Sequence, residues 1–236
     1  EGISLFNYFR KTGIKYFSKK SFPLDKFRKQ EVVIIGSSLL APHNDKSRNY
    51  YSLVKPMKDK NGEWKDVPIG SGFNVTGIYD AFGLTKLSIA LIQRNSLISL
   101  GIDSVDEKLK KEHLCLMGGK SSNLIARELY YDYLPSKFQF YGKEGGLDIH
   151  GKNFRGGGYG HILSMANPWN KNKRVIWLAG LGHLGTGAAV DFIINSLQDK
   201  APSELLNMNE WILFIKGIAK KGSITEVHQI GHYIIS

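Results

Sequence analysis

The chain has 236 residues, of which 42% are hydrophobic and 11% are aromatic. This length and composition fit one globular domain with a sizeable core and exclude a wholly disordered chain. No apolar run reaches the roughly 18 residues that a transmembrane helix needs. A single cysteine, Cys115, excludes an internal disulfide framework and a cysteine-rich zinc site. We predict no metal site, and the composition leaves the cofactor unknown.

The formal net charge of +11 is concentrated at the start of the chain, where residues 1–30 hold eight basic and two acidic residues. We divide the chain into a basic amphipathic segment or linker (1–30) and an α/β domain (31–236). The segment could lie on an acidic membrane surface, contact a nucleic-acid backbone, or pack as an accessory helix or linker to a missing flanking domain. The third interpretation is favoured, because no nucleic-acid-binding motif supports the second.

The chain starts at Glu1 rather than Met, and we therefore expect a fragment or a processed form. No targeting signal is visible. We expect a cytoplasmic location, with the cell surface as the alternative. The basic charge is compatible with anionic partners: nucleic acid, a membrane surface, or an anionic small molecule such as a phosphorylated ligand.

The first half of the chain contains short apolar runs without polar alternation, which are typical of strands buried on both faces. In chain order we predict a strand at 32–35, a long loop or small hairpin at 41–75, a helix at 79–94, a strand at 97–102, a short helix at 105–111 and a strand at 113–117.

The second half continues the alternation. We predict a helix at 123–133, short strands at 138–141 and 147–149, a strand at 159–165, a basic turn at 171–174, a strand at 175–179, a helix to about 197, and a closing hairpin of 211–218 with 224–230. Strands that alternate with helices predict an α/β fold, Rossmann-like and three-layered, with a mostly parallel sheet and a C-terminal β-hairpin.

The strongest local motif is Gly180-x-Gly182-x-x-Gly185, between an apolar strand and a helix. Such glycines permit a tight turn and close approach of an anion to the amides that begin the helix. The alternative is that the glycines serve helix packing alone. A dinucleotide site also needs an acidic residue at the end of the next strand, and Asp199 falls at a helix end instead. Another anionic ligand is therefore favoured over a dinucleotide, and the packing interpretation stays open.

Ligands of open α/β sheets bind beyond the carboxyl ends of the strands, and this rule selects the candidate site residues. Asp80 and His183 are candidate catalytic groups, although Asp80 could equally be a helix N-terminal residue favoured by the macrodipole. Asn123 and Asn167 could orient a ligand or bond locally to backbone. The predicted ligand-binding residues are Gly36, Ser37, Gly118, Gly119, Asn123, Asn167, Gly180, Gly182, His183, Gly185 and Thr186.

Three segments carry a family resemblance. They are Gly118-Gly119-Lys120-Ser121-Ser122-Asn123, Asn167-Pro168-Trp169-Asn170-Lys171-Asn172-Lys173, and Ala179-Gly180 followed after five residues by Thr186-Gly187-Ala188-Ala189. Their order and spacing resemble a poorly characterised prokaryotic domain, the Rossmann-like module of archaeal S-layer proteins and related stand-alone proteins, over about residues 32–230. Lys120 and Asn172 stand where the family usually has Pro.

The resemblance implies a Rossmann-like fold with a terminal hairpin, and in surface-layer proteins a structural role; it implies no established activity. The leading hypothesis is a ligand-binding or sensor module for a nucleotide or another anionic metabolite. The alternatives are a hydrolase or transferase acting on a nucleotide or sugar nucleotide, and a structural or interaction module of the S-layer-like type.

Overall fold

A computed structural model describes residues 23–36, 54–58, 64–68, 78–102, 107–142, 145–220 and 223–236. The described strands are β1 (Glu31–Gly36), β2 (Val54–Lys58), β3 (Trp64–Pro68), β4 (Leu97–Ile102), β5 (His113–Met117), β6 (Leu147–Ile149), β7 (Lys152–Phe154), β8 (Tyr159–Asn167), β9 (Asn170–Gly180), β10 (Trp211–Lys220) and β11 (Ser223–Ile234).

The described α-helices are α1 (Ile78–Ile92), α2 (Glu107–Lys110), α3 (Leu124–Glu128), α4 (His183–Asn195), α5 (Leu197–Lys200) and α6 (Ser203–Leu206). A π-helical turn, Leu129–Tyr133, continues α3, and 3₁₀ turns occupy Leu24–Phe27 and Ser136–Phe138.

Seven strands form one mixed sheet in the order β11-β10-β8-β9-β5-β1-β4. The pairs β4-β1, β1-β5 and β5-β9 are parallel, whereas β9-β8, β8-β10 and β10-β11 are antiparallel. The α/β class and the closing hairpin are confirmed. The mostly parallel sheet is a wrong prediction, since β8, β10 and β11 all join by antiparallel pairing.

Both faces of the sheet are covered, and this produces three layers. Along β1, Val32 and Ile34 join a core with α1 and α4, whereas Val33 and Ile35 join a second core with α3. Alternate strand residues point to opposite faces, so a run that is buried throughout requires a helix or loop layer on each side. Leu24 and Phe27, which belong to the predicted segment 1–30, are fully buried in the first core.

Helices α1 and α4 lie side by side with the same direction. Gly83 of α1 approaches Val190 of α4 so closely that a Cβ on Gly83 would stand 3.2 Å from its Cγ2. One turn earlier in both helices, a Cβ on Gly187 of α4 would stand 3.0 Å from the Cβ of Tyr79 of α1. Since the contacts advance along both helices together, the two N-termini lie at the same end.

Three predicted local elements can be compared with the structure. Polar residues 171–174, predicted as a turn, belong to β9, and the β8-β9 turn is Pro168-Trp169. Residues 138–141, predicted as a strand, form the end of a 3₁₀ turn and a single bridge from Tyr141 to Leu147. The small hairpin predicted in 41–75 is present as the β2-β3 pair, and the remainder of that range lies outside the described residues.

Within the part of the chain that the structure describes, no helix has the length and apolarity to cross a membrane.

Candidate functional site

The carboxyl ends of the parallel strands converge at one edge of the sheet. Ile35 of β1 pairs with Leu116 of β5, and Met117 of β5 pairs with Leu178 of β9. The residues that follow therefore meet: a Cβ on Gly119 would stand 3.6 Å from the carbonyl oxygen of Gly180. We call this place the glycine edge, and define it by Gly36, Gly118-Gly119 and Gly180–His183.

Two glycines of the Gly180-x-Gly182-x-x-Gly185 motif are required by packing. A Cβ on Gly180 would lie 2.5 Å from the Cα of Gly185, and a Cβ on Gly185 would lie 2.2 Å from the carbonyl oxygen of Tyr159. Such contacts are far shorter than van der Waals distance, so these glycines allow α4 to start directly against β8 and β9. The packing interpretation of Gly180 and Gly185 thus accounts for both residues.

Gly182 is the N-cap residue of α4 and has an extended backbone and no side-chain cap. The amide of Gly185 donates to the carbonyl of Gly157 at 2.8 Å, and that of Thr186 donates to Gly182 at 3.2 Å. Among the described residues, the amides of His183 and Leu184 have no acceptor. Unpaired amides at a helix start carry partial positive charge and favour an anion.

His183 and Asp80, the candidate catalytic groups, both lie in the first turns of helices at this edge. The exposed His183 ring stacks on Tyr79, with centroids 5.3 Å apart and planes inclined by 14°. Tyr79 precedes Asp80 in the first turn of α1 and also packs against Gly187 of α4. The structure therefore brings the elements that carry Asp80 and His183 together.

Asn123 is 1% exposed and ties strands together at the glycine edge. Its Nδ2 donates to the carbonyls of Ile35 and Met117, both at 3.1 Å, and its Oδ1 accepts the amide of Ala126 at 3.0 Å as the N-cap of α3. Both amide hydrogens are in use, so the local alternative describes what Asn123 does in this structure.

Asn167 lies at the opposite edge, and the expectation that it joins the other turns is wrong. It is fully buried in the β8-β9 turn, where its Nδ2 donates to the carbonyls of Lys110 and Glu112 and its Oδ1 accepts the amide of Trp169. It pairs with Asn170 at the start of β9, whereas Gly180 ends that strand. At about 3.3 Å per residue, the 11 residues of β9 separate them by roughly 30 Å.

Of the remaining predicted residues, three lie at or next to the glycine edge and one lies outside the described residues. Gly36 is the last residue of β1, and Thr186 is buried in the first turns of α4. Gly118 has a φ of 93°, which favours glycine, and its carbonyl accepts the indole N–H of Trp177 at 2.8 Å. Ser37 lies outside the described residues.

Sequence reasoning missed Lys120 and Tyr141. The Lys120 ammonium lies 5.4 Å from the centre of the Tyr141 ring, and it also donates a hydrogen bond to the Tyr131 hydroxyl. The Tyr141 hydroxyl is buried beside Gly119, at 3.7 Å from where a Cβ would stand. Lys120 follows the predicted turn and could have been chosen for its charge. Nothing in the local sequence marks Tyr141.

His161 of β8 was missed as well. It is fully buried, and its ring centroid lies 4.5 Å from those of Phe140 and Trp177. Burial lowers the pKa of His161 from its usual value to about 3, so the imidazole is neutral. A histidine within an apolar strand is the signal that could have found it.

No group of three or more His, Cys, Asp or Glu side chains suited to a metal ion occurs among the described residues. Comparisons with protein-family models, curated proteins and solved structures gave no match to this chain.

Proposed function

We propose that the protein is a ligand-binding module whose ligand, a nucleotide or another anionic metabolite, binds at the glycine edge. The observation that carries this proposal is the contact between two turns from distant parts of the chain, Gly118-Gly119 and Gly180–His183. The absence of side chains leaves backbone amides accessible to a ligand there, because Gly119 and Gly182 are only partly buried.

The electrostatics of the edge suit an anion. Helices α1 and α4 both begin there, and each helix N-terminus carries about half a positive elementary charge. Lys120 adds a full positive charge next to Gly119. A phosphate or carboxylate group at the edge would therefore interact with backbone amides, two helix dipoles and an ammonium group. Binding of the anion would not require a cluster of basic side chains.

The proposed architecture is a Rossmann-like variant, in which β4-β1-β5-β9 form the nucleotide-binding half and β8, β10 and β11 extend the sheet. The glycine-rich turn between β9 and α4 supports it. The S-layer-like structural module stays the alternative, and the packing of Gly180 and Gly185 favours it, because those glycines need no ligand to explain them.

Isothermal titration with inorganic phosphate, pyrophosphate, AMP, ADP and, as an uncharged control, adenosine tests the proposal. We expect binding of at least one anionic compound, with affinity that falls as salt is added, and no comparable binding of adenosine. Binding of adenosine alone would argue against an anion site, and no binding by any compound would favour the structural module.

Gly119→Ala separates ligand binding from folding. The new Cβ would stand 3.6 Å from the nearest atom, which is ordinary van der Waals contact, so the melting temperature should stay within a few degrees of wild type. Because the methyl group enters the proposed ligand space, we expect the dissociation constant of the anion that binds to rise about tenfold. Unchanged affinity would place the ligand elsewhere.

The enzymatic alternative rests on Asp80 and His183, which occupy the first turns of two neighbouring helices at the same edge. A carboxylate and an imidazole could act as a base and an acid on a phosphorylated substrate. If the protein hydrolyses a nucleotide or sugar nucleotide, we expect Asp80→Asn to reduce kcat by at least about 100-fold with KM little changed. Equal turnover by wild type and Asp80→Asn would exclude Asp80 from the chemistry.

A further inference from the structure

Two neighbouring side chains have buried polar atoms that no described residue partners. They are the hydroxyl of Tyr141 and both ring nitrogens of His161. Their ring centroids are 5.7 Å apart. Folded proteins rarely leave buried polar atoms without a hydrogen bond, so a partner beyond the described residues is expected at this spot.

Tyr141 is held firmly in its position. Its amide donates to the Tyr130 hydroxyl at 2.8 Å, and it bridges to Leu147. Its ring contacts the rings of Phe140 and Trp177, with centroids 5.0 and 6.2 Å away. A hydroxyl fixed by packing has little rotational freedom to lose on binding, and it is therefore preorganised for a ligand.

The Tyr141 hydroxyl reaches the glycine edge from the face of the sheet opposite α4. The position of a Cβ on Gly119 is 3.7 Å from this hydroxyl and 3.6 Å from the carbonyl oxygen of Gly180. The missing side chain thus leaves a gap between the two groups. Lys120, which follows Gly119, places its ammonium 5.4 Å from the Tyr141 ring centre.

We propose that Tyr141 is a ligand-binding residue, whose hydroxyl donates a hydrogen bond to an anionic oxygen, phosphoryl or carboxylate, of a ligand seated at Gly119. This inference rests on the proposed function and adds a side-chain donor to its backbone amides. Lys120 supplies the neighbouring positive charge. His161 packs against the Tyr141 ring, and its nitrogens are not part of the proposed ligand contact.

Burial supports the direction of this hydrogen bond. It raises the pKa of Tyr141 well above its usual value, so the hydroxyl keeps its proton and acts as a donor. A protonated donor next to an ammonium group matches an oxygen that carries negative charge, and hydrogen bonds with one charged partner are about twice as strong as neutral ones.

Tyr141→Phe tests the inference, because it removes one oxygen and keeps the ring. The anions that bind wild type in the titration (phosphate, pyrophosphate, AMP or ADP) are titrated into Tyr141→Phe and into a control, Tyr133→Phe. Tyr133 packs against Trp169 of the β8-β9 turn, at the opposite edge of the sheet. We expect affinity about tenfold weaker for Tyr141→Phe and unchanged for Tyr133→Phe.

The melting temperature gives an independent measurement. Loss of an unpartnered buried hydroxyl should leave the melting temperature of Tyr141→Phe equal to that of wild type or higher. Equal affinity of Tyr141→Phe and wild type would overturn the role of Tyr141 and leave the glycine edge as the anion site. A lower melting temperature with unchanged affinity would likewise overturn it and assign the hydroxyl to a structural water. No anion binding by wild type would remove the proposed function, and this inference with it.

Discussion

Gly185→Ala is expected to lower the free energy of unfolding by at least about 3 kcal/mol. The new Cβ would lie 2.2 Å from the carbonyl oxygen of Tyr159 and 3.0 Å from the Cα of Gly180. Both neighbours are strand backbone, and Tyr159 is also paired with Lys216 of β10. Since neither strand can yield alone, α4 must move away from the sheet and lose part of its buried contact.

The control for Gly185→Ala lies three residues earlier in the same turn. In Gly182→Ala the new Cβ would stand 3.3 Å from the Cα of Gly157, in an exposed turn that can shift by a few tenths of an ångström. We therefore expect a change of less than about 1 kcal/mol. Urea unfolding followed by circular dichroism measures both variants, and equal stabilities would contradict the close packing of α4 on β8.

This pair of variants also separates the two interpretations of the glycine-rich motif. Gly180 and Gly185 are explained by packing, whereas Gly182 is not forced to be glycine by a backbone clash. A bound ligand therefore explains the small residue at position 182 better than it explains those at positions 180 and 185. Binding that persists in Gly182→Ala but fails in Gly119→Ala would place the ligand nearer β5 than β9.

The parallel strands could be predicted from the sequence because their signals are local. His113–Met117 is fully buried and is bounded by charged residues and glycines, so its limits agree with the prediction. The turns that follow β5 and β9 were predicted to meet because neighbouring parallel strands end at the same edge. That rule requires only the strand direction, which the alternation of strands and helices implies.

The position of Asn167 could not be predicted in this way. Strand β8 runs antiparallel to β9, so its carboxyl end lies at the amino ends of the parallel strands. Residues 171–174 are polar and were therefore predicted as a turn, but β9 continues through them as a strand. The turn between β8 and β9 is only Pro168-Trp169. The direction of a strand depends on pairing between distant segments, and local composition does not record it.

Tyr141 and His161 could not be assigned to a site from the sequence for a related reason. In the sequence each has apolar or aromatic neighbours, as core side chains do. Only the tertiary structure shows that their polar atoms lack hydrogen-bond partners among the described residues. By contrast, Asn123 was predicted to orient a ligand or to bond locally to backbone, and the structure shows it bonded to backbone. Its side-chain hydrogen bonds are all to backbone, and they stabilise the edge instead of leaving it open.

Acidification is expected to destabilise the fold, with His161 as a principal cause. Burial lowers its pKa to about 3 in the folded protein, whereas an unfolded histidine titrates near 6.5. Between these values the unfolded chain binds the proton and the folded protein does not. The free energy of unfolding therefore falls as the pH decreases from about 6.5, by up to about 1.4 kcal/mol per pH unit.

A second histidine contributes in the same direction. His113 is buried at the start of β5, and this burial, with the nearby charge of Lys173, lowers its pKa to about 4. Its Nδ1 accepts the amide of Arg174 at 3.1 Å, a bond that protonation of that nitrogen would break. A variant in which His161 is replaced should therefore still lose some stability below about pH 6.5, because His113 is unchanged.

His161→Phe isolates the contribution of His161, because a phenyl ring suits an environment formed by Phe140, Tyr141 and Trp177, with Phe214 opposite on β10. At pH 7 the variant should be as stable as wild type or more stable, since two unpartnered nitrogens are replaced by carbon. At pH 4 its advantage should increase by about 3 kcal/mol, because only wild type loses the linkage free energy of His161. Urea unfolding at pH 7, 5.5 and 4 measures this difference. If the difference is independent of pH, His161 is protonated in the folded state as readily as in the unfolded chain, and its ring nitrogens must then have polar partners near Tyr141.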